Sequence, residues 1–444
     1  MISTIATDIF AAILVLGIII VIHELGHFMA AKFFKIRVEA FSIGFGPRLI
    51  GFRRGDTDYR ISAFPLGGYV RMTTEYPSDE VSGSPHEFLS KPKWQRFVVA
   101  AAGPAMNVIL AVSLLTGLFM YGTEVPAFTE SDPVVGAVVS GSAAEAAGLL
   151  PGDRIVALDG KTDPSWDEVA ARIVTNGGRK IPITLQRGGR TIETFLTPVK
   201  QGRSDTGYVG VQPDRLETNV IEEVLPGSPA AGAGLKPGDV ITAVNGTEIK
   251  TARATAVQAS IRAVPQAQKT FLLTFMRGGE RHEVRVSRIV KDNQQVIGIA
   301  EFATPTVTIR ENFGGAISRS IDRNMEYGTM IFQVLGRLVT GKTSMKSVDG
   351  PIGIVQVAGK SYEAGFAPLI MLMAMISLNL GIMNLLPIPI LDGGVMLLLI
   401  VEGIMGQDLS LAMRERIIQF GFVFLVALTA VVLYNDVVKL LPLN

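Results

Sequence analysis

IFAAILVLGIIIVIHELGH, residues 9–27, is the stretch from which the rest of the chain is read. A charge-free run, 9–22, leads into His23, Glu24 and His27. The run alone is short for a hydrocarbon core of about 30 Å, and it becomes long enough only if these three residues lie within the membrane. Ionisable groups at that depth are costly and default to function. On a helix, positions i and i+4 share a face, so both imidazoles can reach one metal ion. Glu24 is then placed to act on a metal-activated water. The chain has 4 histidines, and two of them form this pattern. His86 and His282 have no motif around them and read as surface or structural residues. The plain alternative is a helix end with polar residues at the interface.

Composition agrees with a membrane setting. Of 444 residues, 18% are charged and 48% apolar, and mean hydropathy is +0.37. A net charge of +1 argues against nucleic acid, because phosphate binding leaves a basic excess. Cysteine is absent, so disulfides and thiolate metal sites are excluded.

Three further charge-free runs, 97–123, 364–391 and 417–435, can each cross a bilayer, giving four spans. A cleaved signal peptide is not expected, since the first residues lack Lys and Arg. The stretch from Lys32 to Arg96 is rich in Lys and Arg, and Arg414 and Arg416 lie between the last two spans. The positive-inside rule therefore puts both termini and the segment 124–363 outside, and the loop after the first span inside.

Two histidines leave a metal site incomplete. A catalytic zinc ion has three protein ligands and an open position. Without cysteine, the third ligand is His, Asp or Glu. The third span ends in NLGIMNLLPIPILDGG, residues 379–394, with Asn379, Asn384, Pro387, Pro389 and Asp392. The first and third spans run in the same direction, so His23 and Asp392 fall at similar depth. Pro387 and Pro389 break the helix just before Asp392. Asp392 is the expected third ligand of a Zn2+ ion, with turn residue as the alternative. Asn384 is expected to hydrogen-bond substrate backbone near the metal.

The outer segment contains a duplication. GSAAEAAGLLPGDRIVALDG from 141 and GSPAAGAGLKPGDVITAVNG from 227 keep Gly141, Gly148, Gly152, Asp153 and Gly160 at a constant offset of 86. Each copy reads as strand, short helix, turn, strand and turn, followed by one helix. This order resembles the PDZ domains of bacterial membrane and periplasmic proteases, which bind an extended peptide at a sheet edge. GYVGV at 207–211 looks like the carboxylate-binding loop of the second copy, and the first copy shows no equally good loop. Obstruction of bulky substrates is therefore preferred over recognition of a new C-terminus. Two packing modules without a ligand remain the alternative. After the repeats, 311–339 has apolar residues at helical spacing and fits a helix on the membrane surface, or one covering the second repeat.

HELGH, NLLPIPILDGG and intervening PDZ-like repeats together resemble the site-2 protease family of intramembrane zinc proteases. The resemblance covers essentially the whole chain. AAGPAMN at 101–107 resembles the family's second-span motif, and 41–72 resembles its membrane re-entrant β-hairpin loop. It implies a polytopic α-helical membrane protein with four transmembrane helices, that hairpin loop and two tandem α+β PDZ domains. The divisions are 1–123, first two spans; 124–202 and 203–292, the PDZ domains; 293–363, a linker with the surface helix; and 364–444, the last two spans. The implied activity is endoproteolysis in a bacterial inner membrane, with His23, His27 and Asp392 on zinc and Glu24 as base. Gly67, Gly68, Tyr69 and Val70 would form an edge strand pairing with an unwinding substrate. The implied substrate is a single-span anti-sigma factor already trimmed outside, with leftover signal peptides as a second class. Two other classes stay open: a membrane-tethered PDZ scaffold without catalysis, and a metal transporter. The second would want more intramembrane carboxylates or histidines than the spans offer.

Overall fold

The computed structural model describes residues 2–74, 82–201, 206–215, 217–265, 267–291, 294–341 and 350–440. The chain divides into two units. One comprises Met1–Thr123, Gln201–Thr206 and Ile309–Asn444, the other Glu124–Lys200 and Gly207–Thr308. The described helices, in chain order, are α1 (Ile2–Phe33), α2 (Lys93–Tyr121), α3 (Ala143–Ala146), α4 (Trp166–Thr175), α5 (Pro229–Gly232), α6 (Ala254–Ala263), α7 (Phe313–Val339), α8 (Pro351–Glu363), α9 (Phe366–Asn384), α10 (Asp392–Met405) and α11 (Leu411–Leu440).

The first unit is a helical membrane protein with a small sheet. Ile5–Phe33, Lys93–Tyr121, Phe366–Asn384 and Ala412–Val438 are long and apolar enough to span, matching the four expected runs. The short apolar run at 9–22 is extended because α1 continues unbroken through His23 and His27. Apolar side chains knit α1 to α8 and α9: Ala11 and Ala12 meet Ala358 and Leu372, and Val15 and Ile19 meet Met373. Glycines let backbones approach, as small residues do between membrane helices. A Cβ on Gly26 would collide with the Ala102 carbonyl, and one on Gly381 would come within 3.1 Å of the Pro104 carbonyl.

Two helices escaped the sequence reading. The third run is helical only to Asn384; residues 385–391 break it, and α10 starts at Asp392. Helix α8 is anchored from afar, because Asp436 of α11 accepts N–H bonds from Gly350, Ile352 and Gly353 at 2.9, 3.0 and 3.4 Å. Helix α7 forms close to the expected limits and belongs to the membrane unit. Its buried side is Ala316, Ser320 and Asn324, and Thr116 Oγ1 of α2 donates to Ser320 Oγ at 3.1 Å. Its exposed side carries Phe313, Ile317, Ile321, Met325, Phe332 and Val339 at intervals of four and seven.

Between α1 and α2, strands β1 (Val38–Arg54) and β2 (Thr57–Met72) fold back on each other. Phe41 pairs with Val70 on one side and Tyr59 on the other, while 50–54 pair with 57–61. The spatial order is thus 68–72, 38–43, 57–62, 48–54, which makes 68–72 an edge. Gly67 turns the chain into that edge with φ of 123°, a conformation that only glycine adopts at low cost. Ile43, Phe45, Leu49, Ile50, Phe52, Ile61 and Phe64 are exposed on this sheet, a concentration of large apolar side chains of the kind that marks a membrane or partner contact.

The second unit holds the duplication. Arg154–Leu158, Lys161–Thr162, Ile181–Arg187 and Arg190–Leu196 form one antiparallel sheet; Val240–Val244, Thr247–Glu248, Thr270–Arg277 and Glu280–Ser287 form another in the same order. Each copy has its own apolar core, around Ile155, Val169 and Leu185 in one and Ile241, Val257 and Phe275 in the other. Each also buries an aspartate against an arginine. Asp153 is gripped by Arg187 through Nε and Nη2 at 2.6 and 2.7 Å, and Asp239 by Arg277 at the same distances.

The structure corrects one sequence expectation here. The loop 207–211 belongs to the first copy. Val209 lies in the first core, the Val139 and Ala144 amides donate to Gly210 and Val209 at 2.8 Å, and Val211–Pro213 pairs with Val135–Val138. The second copy has its counterpart at 297–302: Ala230 and Leu225 donate to Ile297 and Gly298, and Ile299–Phe302 pairs with Ile221–Val224. The closing strand of each copy returns to its own first strand, a long-range pairing that chain order does not reveal. Positions 202/203 and 292/293 of the expected divisions lie outside the described residues, and the closing strands Val211–Pro213 and Ile299–Phe302 lie beyond them.

Candidate metal centre

Helix α1 places His23 and His27 one turn apart, with ring centroids 4.8 Å apart. Their Nε2 atoms are 3.1 Å from each other. Asp392 enters from the first turn of α10, with Oδ2 3.2 Å from His23 Nε2 and Oδ1 3.5 Å from His27 Nε2. These donor atoms lie within 4.8 Å of one another. A tetrahedral ion with bonds of about 2.0–2.2 Å sets its ligand atoms about 3.3–3.6 Å apart. The Nε2–Nε2 separation is close to this spacing, whereas the two contacts to Asp392 are made by different oxygens, so the carboxylate has to turn for one oxygen to serve as ligand.

The outer nitrogens show how the lone pairs are aimed. His27 Nδ1 lies 2.8 Å from the Val99 carbonyl, which can only accept, so Nδ1 carries the proton and Nε2 presents its lone pair. His23 Nδ1 lies 3.2 Å from the side-chain amide of Asn107, whose other end, Oδ1, is buried without a partner among the described residues. A half-turn of that amide lets Oδ1 accept from Nδ1–H and again frees Nε2. Asn107 is held in turn through its backbone carbonyl, which accepts from Ser377 Oγ of α9 at 2.8 Å.

Glu24 accepts an N–H bond from Val70 at 3.0 Å through Oε2. In an antiparallel strand, successive N–H groups point to opposite sides. The Val70 amide is therefore turned off the free edge of 68–72, towards the carboxylate. Gly68 keeps this approach close, since a Cβ there would stand 3.6 Å from Glu24 Cγ and 2.8 Å from the Ser42 carbonyl. Tyr69 faces elsewhere: its ring stacks on Phe45 and its hydroxyl meets Arg60. Asn384 ends α9 with Nδ2 3.5 Å from His23 Nε2. Thus His23, Glu24, His27, Asp392 and Asn384 converge, with Gly68 and Val70 beside Glu24, while Gly67 lies against the Phe45 ring.

Sequence reading assigned no role to three neighbours. Val99 and Asn107 orient the imidazoles, and Gly103 makes room for them: a Cβ there would overlap the His27 ring and come within 2.8 Å of His23 Cε1. All three lie on α2, and Gly103 and Asn107 are part of AAGPAMN.

Comparisons with known proteins point the same way. A sequence profile described as peptidase family M50 matches residues 11–428. A protein of Neisseria meningitidis serogroup A, named as a zinc metalloprotease, is 31% identical over 97% of this chain and 99% of its own length. The regulator of sigma-E protease of Escherichia coli is 33% identical, covering 98% of this chain and 99% of its own. That of Salmonella typhimurium is also 33% identical, over 97% and 98%.

Proposed function

The chain belongs to peptidase family M50, and on that premise we propose that this membrane metalloprotease cuts single-span proteins inside their transmembrane segment. The carrying observation is the convergence of one donor atom each from His23, His27 and Asp392 within 4.8 Å of one another, with Glu24 on the same helix as the histidines. His23, His27 and Asp392 would hold Zn2+, and Glu24 is the base. When bound, the ion supplies a water acidified towards a pKa of about 7 and polarises the scissile carbonyl.

The chain's own residues do the rest. Glu24 takes the proton of the attacking water and delivers it to the leaving amine. Asn384 donates to substrate backbone beside the centre. Peptide bonds in a helix are shielded, so the substrate must be extended before attack. The edge at 68–72 offers backbone partners for an added strand. Such a strand competes for the Val70 amide and releases Glu24 for proton transfer. The exposed apolar side chains of β1 and β2 suit hydrocarbon, which supports a hairpin dipping into the membrane.

The second unit reads as two PDZ-like modules. Because both copies carry the loop, the ground for preferring obstruction over recognition falls away. Each module has a strand edge, at 211–213 and 299–302, able to accept a peptide. The substrate is of anti-sigma-factor type, trimmed outside beforehand, with remnant signal peptides as a second class, and the setting is a bacterial inner membrane with termini and modules periplasmic. The relatives named for regulating sigma-E support this assignment.

The test is reconstitution of the full chain with a single-span substrate, with zinc measured alongside cleavage. Asp392→Asn is expected to lose both. Glu24→Gln is expected to keep zinc and lose cleavage. Wild-type turnover by Glu24→Gln would end the mechanism, and a stoichiometrically zinc-free active protein would end the metal assignment.

A further inference from the structure

A second charged cluster lies at one end of α2, α10 and α11, apart from the metal centre. Lys93 and Arg96 stand in the first turn of α2, Glu402 near the end of α10, Asp408 in the connection and Arg414 at the start of α11. Glu402 is 1% exposed; its Oε1 accepts from Arg414 Nε and Nη2 at 2.8 and 2.5 Å and from the Leu409 amide at 3.1 Å. Lys93 Nζ donates to the Glu402 carbonyl at 2.8 Å and lies 2.9 Å from Asp408 Oδ1. Arg414 and Arg96 approach Asp408 Oδ2 only to 3.6 and 3.9 Å.

Internal pairing leaves this cluster with surplus positive charge, and it also leaves Glu402 Oε2 buried without a hydrogen-bond partner among the described residues. Three cations face two carboxylates among the described residues, and Glu402 is already engaged by Arg414. Arg96 is 3% exposed, its Nε has no hydrogen-bond partner among the described residues, and it is aimed at the place Asp408 fills. A buried guanidinium so poorly bonded is costly. The first turn of α2 has two basic residues, no acid and no side-chain cap, so the positive helix end adds to the same field. Asp408 itself is 54% exposed and sits outside the helices, so its carboxylate is free to leave. Large apolar side chains are exposed nearby in sequence: Trp94, Ile404, Met405 and Met413. That mixture, with a tryptophan, is what a protein presents where headgroups meet acyl chains.

We propose that Lys93, Arg96 and Arg414 form a site for the phosphate of an anionic phospholipid, and that the Asp408 carboxylate holds the phosphate's place in this structure. A zwitterionic lipid brings no net charge to balance the surplus cation. A free anion would make no use of the exposed apolar side chains that neighbour these cations in sequence.

The full-length protein is placed in nanodiscs of phosphatidylcholine alone or with phosphatidylglycerol, and bound lipid is counted by native mass spectrometry beside the melting temperature. The wild type is expected to retain phosphatidylglycerol and to melt higher in its presence. Lys93→Gln, at a partly exposed position, should lose retention by about tenfold, the factor of one charge-assisted hydrogen bond. Asp408→Asn, which removes the internal competitor, should raise it. Equal retention in wild type, Lys93→Gln and Asp408→Asn overturns the site. So does an Asp408→Asn protein that melts lower equally in both lipids without binding more, because the cluster is then an internal ion pair only. Sodium phosphate raising the melting temperature in phosphatidylcholine as much as phosphatidylglycerol does would overturn the lipid as occupant.

Discussion

The two units of this chain solve opposite problems. The membrane unit builds its reactive cluster once, from His23, Asn107, Asn384 and Asp392, which stand on four different helices. The other unit builds one fixture twice, each time within a single copy of the repeat: Asp153 with Arg187, and Asp239 with Arg277. A cluster made once has no substitute, so single changes there should remove function while leaving the fold. A fixture made twice is a folding device, so changes there should cost local stability while leaving chemistry.

The sharpest break is at Glu24. Glu24→Gln should lower cleavage by about 10²–10⁴-fold, the usual contribution of a positioned general base, with zinc content and melting temperature unchanged. A parallel loss of zinc would mean that Glu24 is a ligand, and the contrast between chemistry and scaffold inside the cluster would fail.

Next in size is Gly103→Ala. Its methyl would enter the space of the His27 ring and crowd His23. Displacing correctly oriented ligands typically costs 10–100-fold in metal affinity, and about that loss is expected in a competition titration with a zinc chelator. Gly117→Ala, on the same helix with nothing within 4 Å of its Cβ, is the control and should bind zinc normally.

These two sites also show what the sequence could and could not say. HELGH was readable because helix periodicity alone places His23 and His27 on one face. Asp392 was readable because the first and third spans run in the same direction, which sets it at the depth of His23, and the prolines break the helix before it. Gly103, Val99 and Asn107 were not, because their roles depend on where α2 crosses α1, which no local pattern encodes. AAGPAMN was visible as a motif, but only the crossing gives it work. Helix α10 was missed because it begins where the charge-free run ends and buries Glu402. The loop at 207–211 was given to the wrong copy for a related reason. It lies between the two copies in sequence, and only the pairing of Val211–Pro213 with Val135–Val138 decides its owner.

A smaller effect is expected from the duplicated fixture. The Arg187 guanidinium, bonded to Asp153, holds that carboxyl below the usual carboxylate range. A depressed folded-state pKa contributes stability above the unfolded value, near 3.9, and that contribution disappears as pH falls through the folded value. Acid melting of the second unit should therefore steepen below about pH 4. Asp153→Asn should abolish that first-copy component and cost about 1–3 kcal/mol, as loss of a hydrogen bond to a charged group does. Calorimetry of the full chain should show it with cleavage of a short substrate unchanged. A loss of cleavage matching the loss of stability would join the two units in one function.

The smallest effect on the metal centre, and the most telling for the second unit, should come from excising it. Its two ends meet: the Ala127 amide donates to the Pro305 carbonyl at 2.8 Å, so a short linker can replace 128–304 without straining the membrane helices. Zinc binding should be unchanged, since every residue of the centre lies in the other unit. What changes is substrate choice. If the modules obstruct, an untrimmed substrate is now cut. If they recognise a new C-terminus, even the trimmed substrate is cut poorly. Both copies carry a loop and a free strand edge, so recognition can be localised further by altering 208–210 and 297–298 separately. A shortened protein that binds zinc and still discriminates as the full chain does would place discrimination in the membrane unit itself. The edge strand at 68–72 would then be the next element to alter.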